Sequence, residues 1–195
     1  SMRFRLATWN INSVRLRLDL VRRFVKAAKP DLLCLQEIKC IEENFPLRAL
    51  HALGFPHIAV AGQKGYHGVA TLSKLPFTEF SRHDWQDNGE ARHVGVELQG
   101  AGQGLILENV YIPAGGDVAR RGLAARYAGR PVLPLATELA EISREGLRRI
   151  AHKGRRDPDE SSYLDPVFAQ LELGASPGQV VLDRWEGEWG RRLDR

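Results

Sequence analysis

Residues 107–117, LENVYIPAGGD, run from an apolar strand pattern into a Gly-rich loop, and residues 118–147, VARRGLAARYAGRPVLPLATELAEISREGL, go on as a charged helical pattern. The change of period at this point decides the fold reading. Upstream of it, strand and helix patterns alternate. FRLATWN reads as a strand, and SVRLRLDLVRRFVKAA as an amphipathic helix with Ser13 at its N-cap. KPDLLCLQE reads as a buried strand and FPLRALHALG as a short helix stopped by Gly54. HIAVA, HGVATLSK, HVGVEL and GLILENVYI complete the strand set. The expectation is an α/β fold, a layered β-sheet with flanking helices.

Downstream the strand signal fades. Leu135, Leu139, Ile142, Leu147 and Ile150 recur at amphipathic spacing, so residues 132–152 are expected to be helical. Residues 162–173 and 177–186 are read as two more helices, the last capped by Ser176 with Pro177 in its first turn. Phe168 and Leu182 are expected to join the same packing face. A division therefore falls between about Asp117 and Gly122, giving segments 1–118 and 119–195, the second mainly helical. Each carries 14 basic and 12 acidic residues, so charge does not distinguish them.

The composition, 43% hydrophobic and 27% charged over 195 residues, is that of a globular chain rather than a disordered one. No apolar run approaches the roughly 20 residues that span a bilayer, so no membrane partner is expected. The opening SMRFRLATWN lacks an apolar signal segment, which points to the cytoplasm. Two cysteines, Cys34 and Cys40, are too few for a disulfide framework and read as reduced thiols. The net charge of +4 permits a polyanionic partner without requiring one.

Three polar residues stand where strand patterns end: Asn10 in TWNINS, Glu37 in LQEIK and Tyr111 in NVYIP. Strands that deliver their loops to one edge of a sheet bring such residues together. A carboxylate and an amide oxygen suit Mg²⁺, which takes few protein ligands and completes its shell with water and phosphate oxygens. A tyrosine hydroxyl beside them can donate to a phosphate oxygen as charge grows on it. Taken singly, Asn10 is also a helix cap, Glu37 a solvated strand end, Tyr111 a half-buried strand aromatic and His67 an exposed turn residue.

In order, TWNINSVR, PDLLCLQEIK, GQKGYHGVATLSK, NGEARHVGVEL and LENVYIPAGGD resemble the N-terminal half of the exodeoxyribonuclease III family of the endonuclease/exonuclease/phosphatase superfamily, over about residues 3–117. The resemblance implies half of that superfamily's sandwich and a Mg²⁺-dependent nuclease acting in DNA repair on abasic sites or 3′ ends, with Mn²⁺ an alternative ion. It further implies that Glu37 ligates the metal, Asn10 supports metal and phosphate, and Tyr111 contacts the scissile phosphate. The loop of Lys64, Tyr66 and His67 would then lie against double-stranded DNA. Members of the family go on to a Gly-Asp-x-Asn motif and to a further Asp and His. No Gly-Asp-x-Asn occurs in this sequence, and beyond His93 the one histidine is His152. Half a site is expected, with cleavage weak or absent.

Residues 122–195 resemble something different. SREGLRR, the SPG turn and WEGEWGRRLD are similar to the C-terminal helical tail of the glutamate-cysteine ligase shared by plants and some proteobacteria. The resemblance implies a chimeric chain and carries no catalytic residue. Two other functions thus stand beside the nuclease: a DNA-binding module without turnover, using Arg15, Arg17, Arg22, Arg23 and Lys26, and a ligase-related fragment.

Overall fold

The computed structural model describes residues 3–84, 87–102 and 104–111, and the backbone of two strands at 167–173 and 180–186. The chain begins with β1 (Arg3–Asn10), α1 (Leu18–Ala28) and β2 (Leu32–Gln36). It continues through α2 (Leu47–Ala52), β3 (His57–Ala61), β4 (Val69–Ser73) and β5 (Phe77–Ser81) to β6 (His93–Leu98) and β7 (Ile106–Val110). β8 (Val167–Leu173) and β9 (Val180–Glu186) follow. Six strands form one sheet in the order β3-β4-β2-β1-β8-β9, and β5-β6-β7 form a second.

Alternation along the central strands sorts their side chains into two cores. Ala7 and Trp9 of β1, Leu33 and Leu35 of β2, and Ala70 and Leu72 of β4 pack with Val21, Phe24 and Val25 of α1 and with Leu50 of α2. Trp9 meets Phe24 edge to face, with ring centroids 5.3 Å apart. Phe4, Leu6, Leu32, Cys34 and Val69 belong to a separate cluster with Val94, Val96 and Leu98 of β6. The β1–β4 part of the six-stranded sheet is therefore covered on both faces, by helices and by the second sheet, and β2 and β4 are buried at every position. Burial pushes the Cys34 thiol up to about 12, against a hydrogen bond with Thr71, and it also raises that of Cys40. Both are free thiols.

Three sequence expectations change. Ser13 is not a helix cap: α1 begins at Leu18, and its cap position, Arg17, makes no side-chain cap bond. The backbone N–H groups of Ser13 and Val14 instead donate to Glu37 O at 2.8 Å and Ile38 O at 3.2 Å, so tertiary pairing takes residues that local propensity assigned to a helix. β5, FTEFS, escaped the reading because a short, half-polar strand has little apolar signal. Residues 167–173 and 180–186, expected to be helical, are antiparallel strands, with Phe168 paired to Glu186 and Leu173 to Val180. VFAQLEL alternates by two after Phe168, VVLDRWE opens on β-branched residues, and GASPGQ between them is turn chemistry, so a strand reading fits the same letters. The helix expected at 132–152, with Leu135, Leu139, Ile142, Leu147 and Ile150, and the division near 118 lie outside the described residues.

Candidate active site

β1 and β2 are parallel neighbours, with Asn10 opposite Gln36, so both deliver their C-terminal ends to one edge. The backbone ladder does not stop with the strands. Ile11 N–H donates to Gln36 O at 3.0 Å, Ile38 N–H to Gly68 O at 3.2 Å and Lys39 N–H to His67 O at 3.0 Å. Gly68 N–H then donates to Ala91 O at 2.8 Å, and Tyr111 N–H to Arg92 O at 2.7 Å, which carries the framework across to the second sheet. Keeping this pairing through loops forces Asn12, Ser13, Glu37, Lys39 and His67 to positive φ, at 46°, 81°, 52°, 54° and 53°. Such backbone costs L-residues roughly 1–2 kcal/mol each and persists where the surroundings impose it.

Asn10, Glu37 and Tyr111 meet at this edge. The Tyr111 hydroxyl donates to Glu37 Oε1 at 2.6 Å, and Asn10 Nδ2 donates to the same oxygen at 3.1 Å. The other carboxylate oxygen, Oε2, lies 3.5 Å from Lys39 Nζ, which also donates to Asn12 Oδ1 at 2.5 Å. Burial acts to raise the Glu37 pKa, but the Tyr111 and Asn10 hydrogen bonds and the Lys39 ammonium outweigh it, and the carboxyl is held below its usual range. Burial, then the bond to Glu37 and its charge, push the Tyr111 phenol up to about 12. The pair is a carboxylate and a protonated phenol, one an acceptor and the other a donor.

The loop before β4 closes one side. His67 is half-buried, its ring centroid 5.8 Å from that of Tyr111 and its Nε2 3.4 Å from Glu90 Oε1. Tyr66, 69% exposed, lies on the outer side of His67 with centroids 6.1 Å apart, and Lys64 is exposed on the same loop. His67 thus joins the cluster directly, whereas Tyr66 meets it only through His67 and Lys64 is simply exposed on the loop. The Arg92 guanidinium lies 4.7 Å from the Tyr111 ring centroid and pairs with Glu90, while its Nη1 is buried without a hydrogen-bond partner.

Lys39, Asn12, Arg92 and Glu90 were not singled out from sequence. Lys39 carried a usable signal, since LQEIK places it two residues after Glu37, but nothing local to EARH announces that Arg92 will lie over a tyrosine 19 positions later. Among the described residues no group of three His, Cys, Asp or Glu side chains is placed to hold a metal. The donor set nevertheless fits a hard divalent ion with few protein ligands. Glu37 is ionised, and Asn10 Oδ1, which accepts the Asn12 N–H at 3.2 Å, keeps a second lone pair.

The family model described as endonuclease/exonuclease/phosphatase family matches residues 7–182. The chain belongs to that family. Within this family of phosphodiester hydrolases, it is similar to exodeoxyribonuclease III of Haemophilus influenzae, 34% identical over 110 residues that cover 55% of this chain and 41% of the relative. An AP endonuclease from Archaeoglobus fulgidus superposes with a TM-score of 0.50 at 34% identity, covering 56% of this chain and 41% of that one. TDP2 of D. rerio, complexed with single-strand DNA product, shares the fold at 16% identity, with a TM-score of 0.53 and coverage of 67% and 57%. The chain spans about two-fifths of the length of the exodeoxyribonuclease III and AP endonuclease chains. The similarity is to DNA-repair nucleases, and the mixed, layered sheets are their fold.

Proposed function

We propose that the chain is a DNA-directed phosphodiesterase of the exodeoxyribonuclease III and abasic-site endonuclease type, acting on double-stranded DNA with Mg²⁺ or Mn²⁺, and that its cleavage is slow. The carrying observation is the convergence of Asn10 and Tyr111 on one oxygen of Glu37. Glu37 and Asn10 would hold the ion, which supplies charge neutralisation at a phosphoryl oxygen and a more acidic bound water. Tyr111 keeps its proton to above neutral pH, and its one O–H, donated here to Glu37, would turn to the scissile phosphate. His67 and Arg92 flank it and add positive or polar surface for the DNA backbone, with Tyr66 and Lys64 on the approach.

Slowness follows from what the sequence lacks. A positioned proton-transfer group contributes on the order of 10²- to 10⁴-fold in rate, and the Gly-Asp-x-Asn segment that the family resemblance implies is missing. The ligase resemblance of residues 122–195 contributes nothing to this reading, because it brings no site residue and the family match runs on to residue 182.

Single-turnover cleavage of an abasic-site duplex with Mg²⁺, for the native chain beside Glu37→Gln, tests the reading. Slow, metal-dependent nicking that the substitution removes is the expected result. Vigorous nicking would mean a complete site, with His152, Asp157 and Asp159 first to be examined. Nicking that ignores Glu37→Gln would overturn the assignment. ATP-dependent joining of glutamate to cysteine would favour the ligase fragment instead.

A further inference from the structure

Glu37 and Tyr111 belong to different sheets, one following β2 and the other following β7, yet their oxygens are held 2.6 Å apart. Apolar contact between two sheets is non-directional and cannot by itself fix so short a contact. A buried polar cluster one step inward does fix it. Asn109, 1% exposed, crosses from β7 and donates through Nδ2 toward Ala70 O at 2.9 Å, Thr71 Oγ1 at 3.2 Å and Leu35 O at 3.3 Å. Its Oδ1 accepts from Gln36 Nε2 at 2.9 Å, and the same Gln36 nitrogen donates to Thr8 Oγ1 at 2.9 Å. Four strands, β1, β2, β4 and β7, are thereby tied by directional bonds.

The placement of this cluster gives it a function. Asn109 is two residues before Tyr111 on one strand, Gln36 immediately precedes Glu37, and Thr8 is two residues before Asn10. Each member of the rim cluster thus has a member of the inner cluster just behind it. Resting on the nuclease reading above, we propose that Asn109, anchored by Gln36, is a positioning residue that sets the Tyr111–Glu37 bond and hence the orientation of the metal-binding carboxylate. Asn109 is too deeply buried to touch DNA or an ion, so it acts through Tyr111.

Mn²⁺ binding, followed by the loss of the free-ion electron paramagnetic resonance signal, is measured for the full chain and for Glu37→Gln, Tyr111→Phe, Asn109→Leu and the Tyr111→Phe/Asn109→Leu double variant, with thermal melts alongside. Partners that orient a metal ligand are worth about 10- to 100-fold in affinity, so Asn109→Leu is expected to weaken Mn²⁺ by about ten-fold while still melting cooperatively. In the Tyr111→Phe background it should add no further loss. A merely structural role moves the melting temperature but leaves Mn²⁺ affinity unchanged, or lowers it equally in both backgrounds; either result overturns the inference. If Asn109→Leu does not fold, Gln36→Met removes the same bond from the other side and is read by the same criterion. Native-chain Mn²⁺ binding that is indifferent to Glu37→Gln brings down the nuclease reading itself, and the positioning role with it.

Discussion

Asn109 and Tyr111 stand two residues apart near the end of β7, but the fold uses them differently. Around Asn109 the bonding capacity is consumed: its amide donates to β2 and β4, its oxygen accepts from Gln36, and neither residue has a positive φ. Around Tyr111 the capacity is left uneven. One oxygen of Glu37 carries two donors, the other lies 3.5 Å from an ammonium, and the backbone at Glu37, Lys39 and His67 is left-handed. The inner group is made of neutral amides that satisfy one another, whereas the rim group gathers its donors and an ammonium around one carboxylate. Specificity of packing and readiness for a ligand are thus separated by a single alternation of the strand.

Substitutions test that separation, beginning with Gly68, whose backbone bonds to Ile38 and to Ala91 hold the rim loops together. Its φ is +83°, and a Cβ would sit 2.6 Å from Ile38 Cγ1, so Gly68→Ala should destabilise the chain by about 3 kcal/mol, read from urea midpoints. Asn109→Leu, which removes the donor to Ala70 and Thr71 and one of the acceptors of the Gln36 amide, should cost about 2 kcal/mol in the same measurement. Equal or larger losses from rim substitutions would erase the distinction.

The rim should show itself in pH dependence more than in magnitude. The Tyr111 phenol is raised in the folded state to about 12 from 10.0, so its contribution to stability is complete below about pH 10 and fades as the pH climbs toward 12. Tyr111→Phe should flatten that alkaline slope, and an unchanged slope would show that the bond to Glu37 is not maintained in solution. Glu37 is displaced in the opposite sense, below 4.5. The unfolded chain takes up that proton first, so the contribution is present above about pH 4.5 and is lost as pH falls through the folded value. Glu37→Gln is expected to shift neutral-pH stability by less than about 1 kcal/mol while removing this acid slope.

The same separation explains what could be read from the sequence. β2, β4 and β6 announce themselves as short apolar runs bounded by turn residues, and strand-end placement alone brought Asn10, Glu37 and Tyr111 together. The inner group was invisible, because Asn109 and Gln36 are 73 positions apart and each looks like an ordinary polar residue within a strand. Ser13 and the segments at 167–173 and 180–186 misled for a related reason. Their local letters permit a helix, and backbone partners distant in sequence draw the two segments into strands and Ser13 into a bond with Glu37.

One pairing also has a consequence in time. Residues 6–10 of β1 pair on one side with β2, reached through a single helix, and residues 3–8 pair on the other side with residues 167–172 of β8. The first contact closes a short loop and can form early, while the second must wait until residues 167–172 have been synthesised. Throughout that interval the β8-facing edge of β1 is an open template in the nascent protein, the condition in which strands of neighbouring chains add to one another. Yield of soluble protein should therefore depend on synthesis rate and chaperone supply more steeply than the stability of the finished fold would suggest.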